Sequence, residues 1–119
     1  MIYQRNLYSR TKDFSLITFN VCRYIPQNSL TKIYILQVLR SSSSVCANYI
    51  EANNALSFKD CLNHLKVARK EARESLYWLE ILYEITQIAS LKALVQEAKE
   101  LTFILSAMIK NKKDISGEF

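Results

Sequence analysis

The chain has 119 residues, one Gly, one Pro and a net charge of +5, and half of its residues are hydrophobic. That length fits one domain. So few Gly and Pro residues exclude sandwiches and barrels, whose many turns draw on both for their backbone angles, and leave long helices joined by short links.

The first helix is expected from about Lys12 to Tyr24, where Phe14, Ile17, Val21 and Tyr24 recur at steps of three and four and share one face. Pro26 stops it, since it lacks an N–H and biases Ile25 away from helix. The second helix runs from about Leu30 to Ala52, with Ser29 as its N-cap. Its apolar residues cover most of the circumference, so it lies centrally or is covered on several sides. The run Ser41–Ser44 permits close helix contact. Ser57 opens the third helix with S-F-K-D, a pattern like a capping box. This helix reaches about Ile88, roughly 45 Å at 1.5 Å per residue, and its core stripe is Phe58, Cys61, Leu62, Leu65, Ala68, Ala72, Leu76, Leu79 and Tyr83. The fourth helix, capped by Ser90, runs from about Leu91 to Lys110 on a stripe of Leu91, Leu94, Ala98, Leu101, Leu105 and Met108. Residues 1–10 are expected to form a flexible arm and 111–119 a frayed tail. Short links make successive helices antiparallel, so the expected fold is an all-α, up-down-up-down four-helix bundle in one domain, 1–119.

No apolar run approaches the roughly 20 residues of a bilayer span, and MIYQRNLYSR lacks the apolar centre of a signal peptide. The expectation is a cytoplasmic protein with no membrane partner. Cys22, Cys46 and Cys61 are odd in number and lie in apolar patterns, which makes them packing residues of a reducing compartment. With no CxxC and a single His, His64, no zinc set can be assembled at the usual spacing.

The third helix carries more than a bundle needs. Val67, Trp78, Ile81 and Ile85 fall opposite Leu65, with Tyr77 and Leu82 to either flank. Large rigid aromatics are favoured at interfaces, so Val67, Tyr77, Trp78, Ile81 and Ile85 form a candidate homo-oligomer contact. Lys66, Arg69, Lys70 and Arg73 follow i, i+3, i+4, i+7 and occupy one face beside the core stripe. With Arg40 they are the candidate nucleic-acid contacts, because such a row can bind phosphates. Residues 57–88 nevertheless balance five basic against five acidic residues. On the second helix Ser44, Asn48 and Glu51 step along one strip, and with Glu71 and Glu74 they form a candidate polar network, with Arg40 among its possible donors. No ExxH pair, P-loop, GxSxG or HExxH occurs, so no metal, cofactor or catalytic site is expected.

The stretches Q-V-L-R-S-S-S-S-V-C-A-N-Y-I-E-A at 37–52 and S-F-K-D-C-L-N-H-L-K-V-A-R-K-E-A-R-E-S-L-Y-W-L-E-I-L at 57–82 resemble the bacterial four-helix bundle proteins, also called the 23S rRNA intervening-sequence protein family. The elements that carry the resemblance are A-N-x-x-E (Ala47, Asn48, Glu51) and A-x-x-E-x-x-E (Ala68, Glu71, Glu74). The sequence departs from the family pattern at Leu39, Tyr49, Ile50 and Ala52. The resemblance implies a ring-shaped homo-oligomer, typically a pentamer, with no enzymatic activity. It also implies a link to RNA or DNA, or to a nucleic-acid enzyme, because such chains are similar to the accessory bundle of diversity-generating retroelements that works with a reverse transcriptase. The expected function is therefore a non-catalytic homo-oligomer that binds nucleic acid or a nucleic-acid-processing partner through basic surfaces. The alternative is a purely structural or protein-partner scaffold.

Overall fold

The computed structural model describes the backbone of residues 2–116 and the side chains of 7–114. Four helices follow one another: α1 (Ile2–Cys22), α2 (Thr31–Asn53), α3 (Phe58–Thr86) and α4 (Ser90–Ser116). They form a bundle 49 Å long and 22 Å across in both other directions. Each helix packs on two neighbours, in the cyclic order α1, α2, α3, α4, and the diagonal pairs do not meet among the described residues. The α2–α3 seam is the most extensive and the α1–α4 seam the sparsest. Cross-links along the first of these run in opposite directions: Tyr34 meets Trp78, Ser41 meets Ser75 and Asn48 meets His64, so α2 and α3 are antiparallel.

The core stripe of α3 is as the periodicity predicts at Leu62, Leu65, Ala68, Ala72 and Leu79, all buried. Ser57 caps the helix, its hydroxyl accepting from the Asp60 N–H at 3.1 Å, as S-F-K-D requires. The cap of α2 differs from expectation. Asn28, not Ser29, holds the start of the helix, its Oδ1 accepting from the N–H groups of Leu30 and Thr31. Thr31 locks this turn by donating to the Pro26 carbonyl at 2.9 Å.

α1 differs most. It begins at Ile2, so residues 2–10 are helical and not a flexible arm. The buried face is Leu7, Thr11, Phe14, Thr18 and Cys22, continued by Ile25 in the turn after the helix, whereas Ile17 and, in that turn, Tyr24, both expected inside, are exposed. Threonines at two core positions disguise the stripe. Thr11 is accommodated because its hydroxyl donates to the Leu7 carbonyl one turn back, at 2.8 Å. α4 runs past Lys110 to Ser116, with Lys113 in its last turn, where a cation faces the negative end of the helix dipole. The remainder of the expected tail, 117–119, lies outside the described residues. α3 stops at Thr86 because Gln87 turns left-handed (φ 58°) and donates its N–H to the Tyr83 carbonyl at 2.7 Å.

Candidate functional site

The α2–α3 seam is built from small residues and one charged clamp. Ser41 and Ser75 are fully buried, with their hydroxyl oxygens 2.8 Å apart. Ser75 also bonds the Glu71 carbonyl, at 2.9 Å. No side chain larger than a hydroxymethyl intervenes, so the two backbones approach closely, as the serine run predicts. At the edge of this contact Arg40 donates from Nη1 to Glu71 at 3.2 Å and from Nη2 to Glu74 at 2.6 Å. These hydrogen bonds, Glu74 first, push the Arg40 guanidinium further above its ordinary range. Glu71 is the one buried charged residue among the described residues, and the clamp is what makes its burial tolerable. Arg40 is therefore engaged within the bundle, which removes it from the candidate phosphate contacts.

The expected polar network separates into parts. Glu71 and Glu74 belong to the Arg40 clamp. Asn48 donates to the Ser44 carbonyl at 2.9 Å, and its Oδ1 lies 3.3 Å from His64 Nδ1. Glu51 is exposed and joins neither group. The Asn48–His64 contact links α2 to α3, a role for His64 that sequence spacing did not suggest.

Along α3, Lys66, Lys70 and Arg73 are exposed and Arg69 is half-buried. None forms an ion pair among the described residues. The two nearest carboxylates along the helix, Glu71 and Glu74, are taken by Arg40, so the row keeps its positive charge despite the balanced composition of α3. The row runs into a shallow groove of about 350 Å³ lined by Lys70, Arg73, Glu74, Tyr77 and Trp78. The Trp78 ring stands edge-on to Tyr77 at 4.9 Å and 6.0 Å from Tyr34, and its buried Nε1 has no hydrogen-bond partner among the described residues. Val67, Tyr77 and Ile85 are exposed and Ile81 is half-buried. Leu82, expected on the flank of this patch, is fully buried in the core.

A second clamp was not foreseen. Arg10 of α1 donates to Glu97 at 2.6 Å and to Glu100 at 3.1 Å on α4, repeating the pattern of one arginine across two glutamates spaced i, i+3. Its only sequence signal is that spacing, E-A-K-E at 97–100. Hydrogen bonds from Gln96 and then Arg10 hold the Glu100 carboxyl below its ordinary value.

A model of the 23S rRNA-intervening sequence protein family matches residues 4–110. The chain belongs to that family. A crystal structure of a protein of unknown function from the S23 ribosomal protein family, from Bacteroides thetaiotaomicron, superposes with a TM-score of 0.81 at 28% identity, covering 91% of this chain and 98% of that one. A search of curated proteins finds no match. The family elements then acquire structural roles here. In A-x-x-E-x-x-E, Ala68 is fully buried and Glu71 and Glu74 hold Arg40. In A-N-x-x-E, Asn48 bridges to His64. Among the described residues no group of His, Cys, Asp and Glu could hold a metal ion, and no helix is long and apolar enough to cross a membrane.

Proposed function

We propose that this protein is a non-catalytic, self-associating four-helix bundle that binds nucleic acid along the exposed basic row of α3. The supporting observation is that Lys66, Lys70 and Arg73, with Arg69 beside them, are unpaired among the described residues, while the adjacent Glu71 and Glu74 are neutralised by Arg40. A row of free cations can release condensed counterions from a phosphate backbone. The family description refers to a 23S rRNA intervening sequence, which points to the same class of ligand. Self-association uses the apolar face of Val67, Tyr77, Trp78, Ile81 and Ile85, and the family resemblance sets the expected copy number at five.

The test is a fluorescence-polarisation titration with a hairpin RNA and a duplex DNA between about 50 and 200 mM salt. Affinity should fall steeply with salt, and each cation removed by Lys66→Ala, Lys70→Ala or Arg73→Ala should flatten the log–log slope by about one. Absent or salt-insensitive binding refutes the reading. An oligomer that binds neither polymer supports the protein-partner scaffold, which the exposed apolar residues of α3 would then serve.

A further inference from the structure

α1 carries large apolar side chains on its outer face as well as its inner one. Leu16 and Phe19 are each 52% exposed while Thr11 and Thr18 are fully buried, and the Thr18 hydroxyl has no partner among the described residues. An isolated bundle would place leucine and phenylalanine inward and threonine outward, so the outer face of α1 has the composition of a covered surface. Tyr8, Lys12, Leu16 and Phe19 recur at four, four and three on one side of the helix, and Arg23, in the turn that follows, continues that side four residues on, its N–H donating to the Phe19 carbonyl. Lys12 lies 6.0 Å from the Tyr8 ring, and Arg23 lies between the Phe19 and Tyr24 rings, at 6.0 and 5.6 Å. Neither cation forms an ion pair among the described residues. Asp13, the one acid of α1, lines the groove against α4 with Arg10 and Ile17, on the other flank.

The C-terminal half of α3 has the opposite character. Tyr77, Ile81, Glu84 and Ile85 share a face with Glu80 at its margin. Glu80 and Glu84 are exposed like charges one turn apart, an arrangement that repels, and neither forms an ion pair among the described residues. Lys92 of α4 lines a shallow groove with Glu80, Tyr83 and Glu84 but sits over the Tyr83 ring, at 5.5 Å. One face is thus apolar with free cations and the other apolar with free carboxylates. Either face against its own copy would oppose like charges, whereas the two faces against each other match.

We propose that the α1 face of one copy (Tyr8, Lys12, Leu16, Phe19, Arg23) seats on the α3 face of the next (Tyr77, Glu80, Ile81, Glu84, Ile85). The contact is heterologous, running head to tail. α1 and α3 lie diagonally across the bundle; the α3 face reaches the groove that Glu80 and Glu84 share with Lys92 and Val95 of α4, and the α1 face lies on the side away from the Arg10 clamp to α4. A head-to-tail contact of this kind closes into a ring when the rotation between successive copies closes on itself. The inference rests on the self-association proposed above and adds the missing partner surface, on α1.

Charge exchange at exposed positions tests it. The variants are Lys12→Glu/Arg23→Glu, Glu80→Lys/Glu84→Lys, and the quadruple exchange of all four, with helicity checked by circular dichroism and mass measured by light scattering without nucleic acid. The wild type should have a mass several times 13.8 kDa and each double variant 13.8 kDa. The two doubles mixed, and the quadruple variant, should regain assembly. A monomeric wild type overturns self-association and this inference with it. An oligomeric wild type whose double variants keep their size overturns only the assignment of faces. Dissociation without recovery in the mixture or the quadruple variant overturns the pairing of these two faces.

Discussion

Replacing Arg40 with Ala removes both arms of the α2–α3 clamp, and the two arms have different weights. The outer arm, to Glu74, joins side chains that are 49% and 36% exposed. Solvent screens such a pair, so its loss costs about 0–1 kcal/mol. The inner arm reaches Glu71, whose side chain is only 10% exposed. Without Arg40 that carboxylate has no side-chain donor, and an unsatisfied buried acceptor costs about 1–3 kcal/mol. Together the loss is about 2 kcal/mol, which for a domain of this size lowers the melting temperature by roughly 8 °C. Differential scanning fluorimetry at fixed protein concentration measures it, since any assembly makes the transition concentration-dependent. Glu74→Gln should cost under about 1 kcal/mol. A double-mutant cycle between Arg40→Ala and Glu71→Gln should show a coupling of about 1–2 kcal/mol. If Arg40→Ala melts with the wild type, or Glu74→Gln costs as much as Arg40→Ala, the clamp does not support Glu71 in the way its geometry indicates.

Thr18→Val should stabilise the fold by about 1 kcal/mol, because it deletes a buried hydroxyl that has no partner and keeps the side-chain shape; urea unfolding reads the change, and a loss of stability would mean that the hydroxyl is satisfied. Gln87→Gly should also stabilise, by about 0.5–1 kcal/mol in the same assay, since Gly adopts the left-handed angle of φ 58° without a Cβ clash. Burial pushes the Cys22 thiol up to about 11, so at neutral pH native protein should alkylate at the half-buried Cys61 long before Cys22, with mass spectrometry of peptides as the readout; equal rates would contradict the packing of α1. The Glu100 carboxyl is depressed in the folded state, so its contribution to stability is full above its ordinary value of 4.5 and is lost as pH falls through the lower folded value. Acid titration should therefore loosen the α1–α4 seam, and Arg10→Ala should reduce that pH dependence in hydrogen exchange of α1 amides.

The number of helices, their order, the Ser57 cap and the core stripe of α3 are properties of residues within a turn or two of each other, and the sequence by itself determined them. The scarcity of Gly and Pro excluded other architectures, and apolar periods of three and four placed α2, α3 and α4. The same local logic misplaced α1, because Thr11 and Thr18 occupy core positions while Leu16, Ile17 and Phe19 do not. It also set the end of α3 late, because Gln87 takes a left-handed turn that a sequence usually marks with Gly. Only the tertiary structure decided which charges are free. Arg40 meets Glu71 and Glu74 across 31 and 34 residues, and Arg10 meets Glu97 across 87. Such pairings depend on which helices lie side by side and at what level, information that no window along the chain contains. The candidate ligand row narrowed to α3 for this reason: an arginine and a lysine with similar neighbours in sequence differ once one of them has found its carboxylate.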